Sequence, residues 1–132
     1  IEMIDGAKSH ASRLGIDLHP LETVTSDHPS YEIEAAIQHT LTQSPKTDGI
    51  ICASTNAAMA VVSGLEASGR VIGQDVDVIA KEAMPFLKRF RKEILTMHED
   101  VANAGEFLCR AVMQAVDHPD RPPMQCLEQP AV

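Results

Sequence analysis

One stretch, residues 47–83, sets what this chain can fold into. It passes from a polar turn into the apolar run Gly49-Ile50-Ile51-Cys52-Ala53, breaks at Ser54-Thr55-Asn56, continues with helical periodicity, and enters a second apolar run at Val76. Strand, helix and strand in that order make a βαβ unit. Ile50, Ile51, Val76, Val78 and Ile79 fall in near-continuous apolar runs rather than alternating ones. Strands covered by helices on both faces of a parallel sheet have that pattern. The expected fold class is therefore α/β, a three-layer α-β-α arrangement about a mostly parallel sheet. Within the unit, Ser54 or Thr55 can accept hydrogen bonds from the first free helical N–H groups, and Gly69 can close the last turn in the left-handed conformation. Ala58, Val61, Val62 and Leu65 share one stripe, with Met59 beside it, so this helix faces a core. Ligands of open parallel sheets bind beyond the carboxyl ends of the strands, which directs attention to Ser54, Thr55, Asn56, Lys81 and Glu82.

The flanking segments fit around this unit. Ile4, Ala7, Ala11 and Leu14 lie on one face of a helix from Glu2 to Leu14 that Gly15 stops. Ile16 to Val24 is interrupted by Pro20, which predicts an edge strand. After the polar loop Thr25-Ser26-Asp27-His28-Pro29, Ser30 with Ile33, Ala36, Ile37 and Leu41 predicts a capped helix ended by Ser44-Pro45. Phe86, Leu87 and Phe90 interleave with Lys88, Arg89, Arg91 and Lys92 at the spacing of a short packing helix with a solvated basic face. Ile94 to Met97 predicts a strand with His98-Glu99-Asp100 at its carboxyl end. Asp100 is placed to cap the helix that carries Val101, Ala104, Leu108, Ala111, Val112 and Ala115 as one stripe. Met124 to Leu127, beyond a proline-rich loop, predicts a short final strand.

Several function classes are disfavoured at this level. A net charge of −8 offers no general attraction to phosphate backbones, so an acidic unit like this does not hold nucleic acid by itself. No apolar run approaches the roughly 20 residues that span a bilayer. Cys52, Cys109 and Cys126 are odd in number and irregular in spacing, as expected of free thiols in a reducing cytoplasm rather than of a disulfide framework or a zinc site. The histidines are scattered, no Gly-x-Ser-x-Gly elbow or phosphate-cradling glycine loop is present, and neighbouring Glu99 and Asp100 need not converge on one bond. The expectation is a binding module, not an enzyme, with no metal and no cofactor.

The order of these pieces resembles the effector domain of the lactose/galactose repressor (LacI/GalR) family. Ile50-Ile51-Cys52-Ala53, Ser54-Thr55-Asn56, Ser68-Gly69, Ile72-Gly73-Gln74-Asp75-Val76 and Val78-Ile79 carry the resemblance, and Ile94-Leu95-Thr96-Met97 and Ala104-Gly105 continue it. The chain departs from the family at three positions. Ser54-Thr55 stands where many members have Asn-Asp, and Ala80-Lys81-Glu82-Ala83 where they have Gly-Phe/Tyr-Asp-Asp. Met3 stands where an Arg commonly precedes the glycine of the first helix.

The resemblance implies a periplasmic-binding-protein-like type I subdomain. Residues 1–132 would be the C-terminal subdomain of a ligand-sensing domain, its first strand lost, with the DNA-binding domain and N-terminal subdomain outside the chain. The implied function is that of a cytoplasmic, dimeric transcription regulator that binds a sugar or sugar derivative between two lobes and thereby changes its affinity for an operator. DNA contact would be made only through the other domain. Asp27, Ser54, Thr55, Lys81, Glu82 and Glu99 are the expected effector-binding residues, and Met59, Phe86 and Phe90 the expected homodimer surface. A fragment of a periplasmic solute-binding protein for sugar transport is the alternative reading.

Overall fold

The parallel sheet forms where the apolar runs lie. In the computed structural model, which describes residues 2–21, 23–25, 27–82 and 85–127, the strands are β1 (Gly49–Cys52), β2 (Asp77–Glu82) and β3 (Leu95–His98). Their order is β1-β2-β3 and both pairings are parallel, with Ile51 opposite Ile79 and Ile79 opposite Leu95. The helices are α1 (Glu2–Leu14), α2 (Ser30–Gln43), α3 (Thr55–Ala67), α4 (Leu87–Phe90) and α5 (Val101–Asp117). This is the parallel α/β architecture expected.

The two ends of α3 form as anticipated. Ser54 is the extended N-cap residue, and its Oγ accepts from the Ala57 N–H at 3.2 Å. At the other end Gly69 takes φ 71°, and the Arg70 N–H reaches back to the Leu65 carbonyl at 2.9 Å. The turn into β2 is held by Asp75, whose carboxylate accepts from the Val71 N–H at 2.8 Å, while Gly73 at φ 79° donates to the Val76 carbonyl.

The core lies between the sheet and a layer made by α2 and α3. Ile33, Ile37 and Leu41 of α2 meet Ala58, Val61, Val62 and Leu65 of α3. Beneath them lie Cys52, Val78 and Ala80, with Val76, Leu87 and Ile94 completing the cluster. Since side chains alternate across a strand, the register places Cys52, Ala80 and Thr96 on this covered face and Ile51, Ile79 and Leu95 on the other. Ile51 is 57% exposed and Leu95 55%.

Helical cover of both faces was expected, and here the structure differs. Only one face is layered among the described residues. Ala11 is the one buried residue described in α1, and α5, for all its apolar stripe, buries none. A periodic stripe states that a helix has an apolar side, not which surface receives it.

Three local expectations are also corrected. Residues 16–21 and 23–25 form no strand; Leu21 and Val24 nonetheless pack on the core cluster, so their apolar character marks burial rather than ladder pairing. Met124–Leu127 is irregular, following Pro122 and Pro123, which have no N–H to donate to a sheet. Ser30 is the first residue of α2 rather than its cap. Pro29 holds the cap position, with only its carbonyl engaged, by Glu32 and Ile33.

Candidate functional site

Parallel pairing sends all three strands to the same rim, and the segments leaving that rim carry the polar residues. β1 runs through Ala53 into the Ser54 cap of α3, and β3 runs through Glu99 into Asp100, whose Oδ1 caps α5 by accepting from the Asn103 N–H at 2.9 Å. Between them Ala53, Ser54, Thr55, Asn56, Lys81 and Glu99 line a shallow cleft of about 290 Å³. Lys81 Nζ lies 2.9 Å from Glu99 Oε1, joining the ends of β2 and β3 by an ion pair. The two side chains are 40% and 46% exposed, so solvent screens the pair and it adds little to folding stability. Its consequence is chemical: a donor and an acceptor stand side by side at the cleft, next to two hydroxyls and an amide.

Four of the six residues expected to bind an effector, Ser54, Thr55, Lys81 and Glu99, are thus brought together from three segments distant in sequence. Glu82 ends β2 opposite His98; its side chain lies outside the described residues. Asp27 is exposed and stands outside the cleft lining, in a loop where His28 Nδ1 accepts from the Thr25 N–H at 2.9 Å. Ala53 was not anticipated as lining. Its position between a strand end and a helix cap is the only signal that could have found it.

A larger hollow of about 420 Å³ lies at the opposite end of α3, lined by Gln38, Leu41, Thr42, Ser68 and Arg70. There the Arg70 guanidinium is already engaged by the Pro45 carbonyl, and the helix ends present carbonyl groups rather than free donors. The strand-end cleft is the better candidate because its polar groups converge from separate elements.

Catalytic chemistry finds no footing at Cys52. Burial pushes its thiol up to about 12, which keeps it protonated and unreactive near neutral pH. Among the described residues no three His, Cys, Asp or Glu side chains are grouped to hold a metal ion, and no helix is long and apolar enough to cross a membrane.

Met59, Phe86 and Phe90 are all substantially exposed. The Phe86 and Phe90 rings stack with centroids 5.9 Å apart, and Arg91 lies over Phe90 while ion-pairing with Glu66 of α3. Seven residues separate Met59 from Glu66, so they share a face of α3 about 10 Å apart. Arg91 thus ties the segment that carries the ring pair to α3, the helix that also carries Met59.

Comparison with known proteins agrees with this architecture. A LacI family transcriptional regulator from Arthrobacter sp. FB24, solved both with lactose and without it, superposes with a TM-score of 0.74 at 21% identity, over 89% of this chain and 43% of that one. A proposed transcription regulator from Staphylococcus saprophyticus subsp. saprophyticus superposes with a TM-score of 0.71 at 13% identity, over 96% of this chain and 48% of that one. The chain thus spans less than half the length of the solved structures it matches. No curated protein sequence matches it. The sequence model of the periplasmic binding protein-like domain matches residues 1–132, and the chain belongs to that family.

Proposed function

We propose that this chain is one lobe of the ligand-sensing domain of a LacI/GalR-like transcription regulator that works in the cytoplasm. The observation that carries the reading is the convergence of Ser54, Thr55, Asn56, Lys81 and Glu99 on one open cleft at the carboxyl rim of a parallel sheet. A cleft this shallow leaves much of a bound sugar uncovered, so a second lobe closes over it. The ligand favours the closed arrangement by its extra contacts there, and that shift in population alters how the paired DNA-binding domains sit on an operator. The LacI-family neighbour solved with lactose supports a carbohydrate as effector. The role is binding, not catalysis.

The reading is tested on the intact protein by a thermal-shift screen across sugars and sugar derivatives. A specific effector at about a hundred times its dissociation constant stabilises the folded state by about 2.7 kcal/mol, a clear rise in Tm. A broad panel that leaves Tm unmoved removes carbohydrate sensing. A signal peptide in place of a helix-turn-helix segment upstream would move the lobe to a periplasmic transport protein.

Pairing of two chains belongs to the same reading, with Met59, Phe86 and Phe90 as its apolar contacts. Replacing an exposed ring by a charge opposes burial at an interface. Phe90→Glu is expected to lower the dimer fraction in sedimentation velocity without lowering Tm by more than a few degrees. An unchanged sedimentation coefficient would take this surface out of the interface.

A further inference from the structure

Among the described residues, the charged lining of the cleft is one cation and one anion, Lys81 and Glu99, and the two are already in contact at 2.9 Å. The other lining residues, Ala53, Ser54, Thr55 and Asn56, carry no charge. We propose that the Lys81–Glu99 pair is a charge selector that makes the cleft take an uncharged polyol through two adjacent hydroxyl groups and turn away sugar acids and amino sugars. This rests on the ligand-sensing reading above and specifies the chemistry of its ligand.

The argument follows from what each partner can do. The Lys81 ammonium has three N–H donors and no acceptor, and the Glu99 carboxylate has only acceptors. Their contact uses one donor and one oxygen, so both retain capacity toward the cleft. A hydroxyl group both donates and accepts. Two neighbouring hydroxyls can therefore satisfy the pair at once, one accepting from Nζ and the other donating to the carboxylate, without separating the two charges.

A charged ligand group meets a different situation. An anion that binds Lys81 must share it with Glu99, and then lies beside a carboxylate whose partner it has taken. A cation that binds Glu99 crowds Lys81 in the same way. Like charges a few ångströms apart oppose either outcome, whereas the neutral diol leaves the balance intact. Lysine alone at this rim would favour an acidic ligand; lysine paired with Glu99 does not. Ser54 and Thr55 supply further hydroxyls, and Asn56 both a donor and an acceptor, all of them suited to an uncharged partner.

Calorimetry on the intact protein, with matched sets of a neutral hexose or disaccharide, the corresponding uronic acid and the corresponding amino sugar, tests this. The wild type should bind at least one neutral sugar at least about tenfold more tightly than its acid and amine counterparts, the size of one charge-assisted hydrogen bond gained or lost. Glu99→Gln frees Lys81 and should shift the preference toward the uronic acid by about tenfold; Lys81→Met frees Glu99 and should shift it toward the amino sugar. Both side chains are partly exposed, so the variants should keep the wild-type Tm without ligand. A wild type that binds a uronic acid or an amino sugar as tightly as the neutral form overturns the selector and leaves ligand sensing standing. Variants that bind with unchanged charge preference also overturn it. Binding of no sugar in any set overturns the sensing reading itself, and the selector falls with it.

Discussion

Leu65→Ala should cost about 3 kcal/mol of folding stability, within the 2–5 kcal/mol that buried leucines lose on truncation. Leu65 is fully buried and among the largest side chains that are. It lies on α3, the helix that α2 packs against and that contacts both β1 and β2. Alanine is the better helix former, so helix propensity acts slightly in the variant's favour and the loss is one of packing. The cavity would open where the helical layer meets the sheet, and a domain of this size has about 5–15 kcal/mol in total. Urea unfolding at constant m-value should show the midpoint falling accordingly. A loss below about 1 kcal/mol would mean that the neighbours collapse into the space, and that the layer is less tightly built than the structure shows.

The second large effect is expected from adding volume. Gly64 faces α2, and a Cβ built on it would lie 3.1 Å from the Glu34 carbonyl oxygen and 3.1 Å from Cβ and Cγ2 of Ile37. The carbonyl belongs to the backbone of α2 and cannot swing aside, so a larger side chain forces the two helices apart. Gly64→Val is expected to destabilise by about 1–3 kcal/mol, although valine is the better helix former by a few tenths of a kcal/mol. Gly105 of α5 provides the control. It has nothing within 4 Å of its added Cβ, so Gly105→Ala should stabilise the chain slightly. Equal responses at the two glycines would show that propensity, not the α2–α3 approach, governs Gly64.

These expectations draw unequally on what the residues alone disclose. The stripe Ala58, Val61, Val62 and Leu65, the Ser54 cap and the Gly69 stop describe α3 correctly because each is a local preference: a period, a side-chain acceptor, a residue free to take positive φ. The same holds for Asp100 at the start of α5. Ile16 to Val24 was misread as a strand because apolar residues bordered by a proline are equally consistent with a coil that drops Leu21 and Val24 onto a core. Gly64 gave no warning, since a glycine within a helix does not announce which helix will approach it.

At the site, placing Ser54 and Thr55 beyond the end of β1 and Lys81 at the carboxyl end of β2 needed only the βαβ pattern and the rule that parallel strands share a rim. The contact between Lys81 and Glu99 could not be read in that way. Eighteen positions separate them, and the pairing follows from the register that sets Lys81 opposite Met97. Asp27 shows the converse: its place near a ligand site is implied by likeness alone, and it is not among the described residues that line the cleft.

What the order of residues determined by itself was the parallel βαβ core, the ends of its helix and the set of polar groups available at one rim, because periodicity, capping and glycine conformation act within a few positions along the chain. Tertiary structure alone decided which face of the sheet is covered, how closely α2 approaches Gly64, and that the cation of β2 meets the anion after β3. Those outcomes depend on distances between segments far apart in the chain, which are set by the joint packing of all the elements.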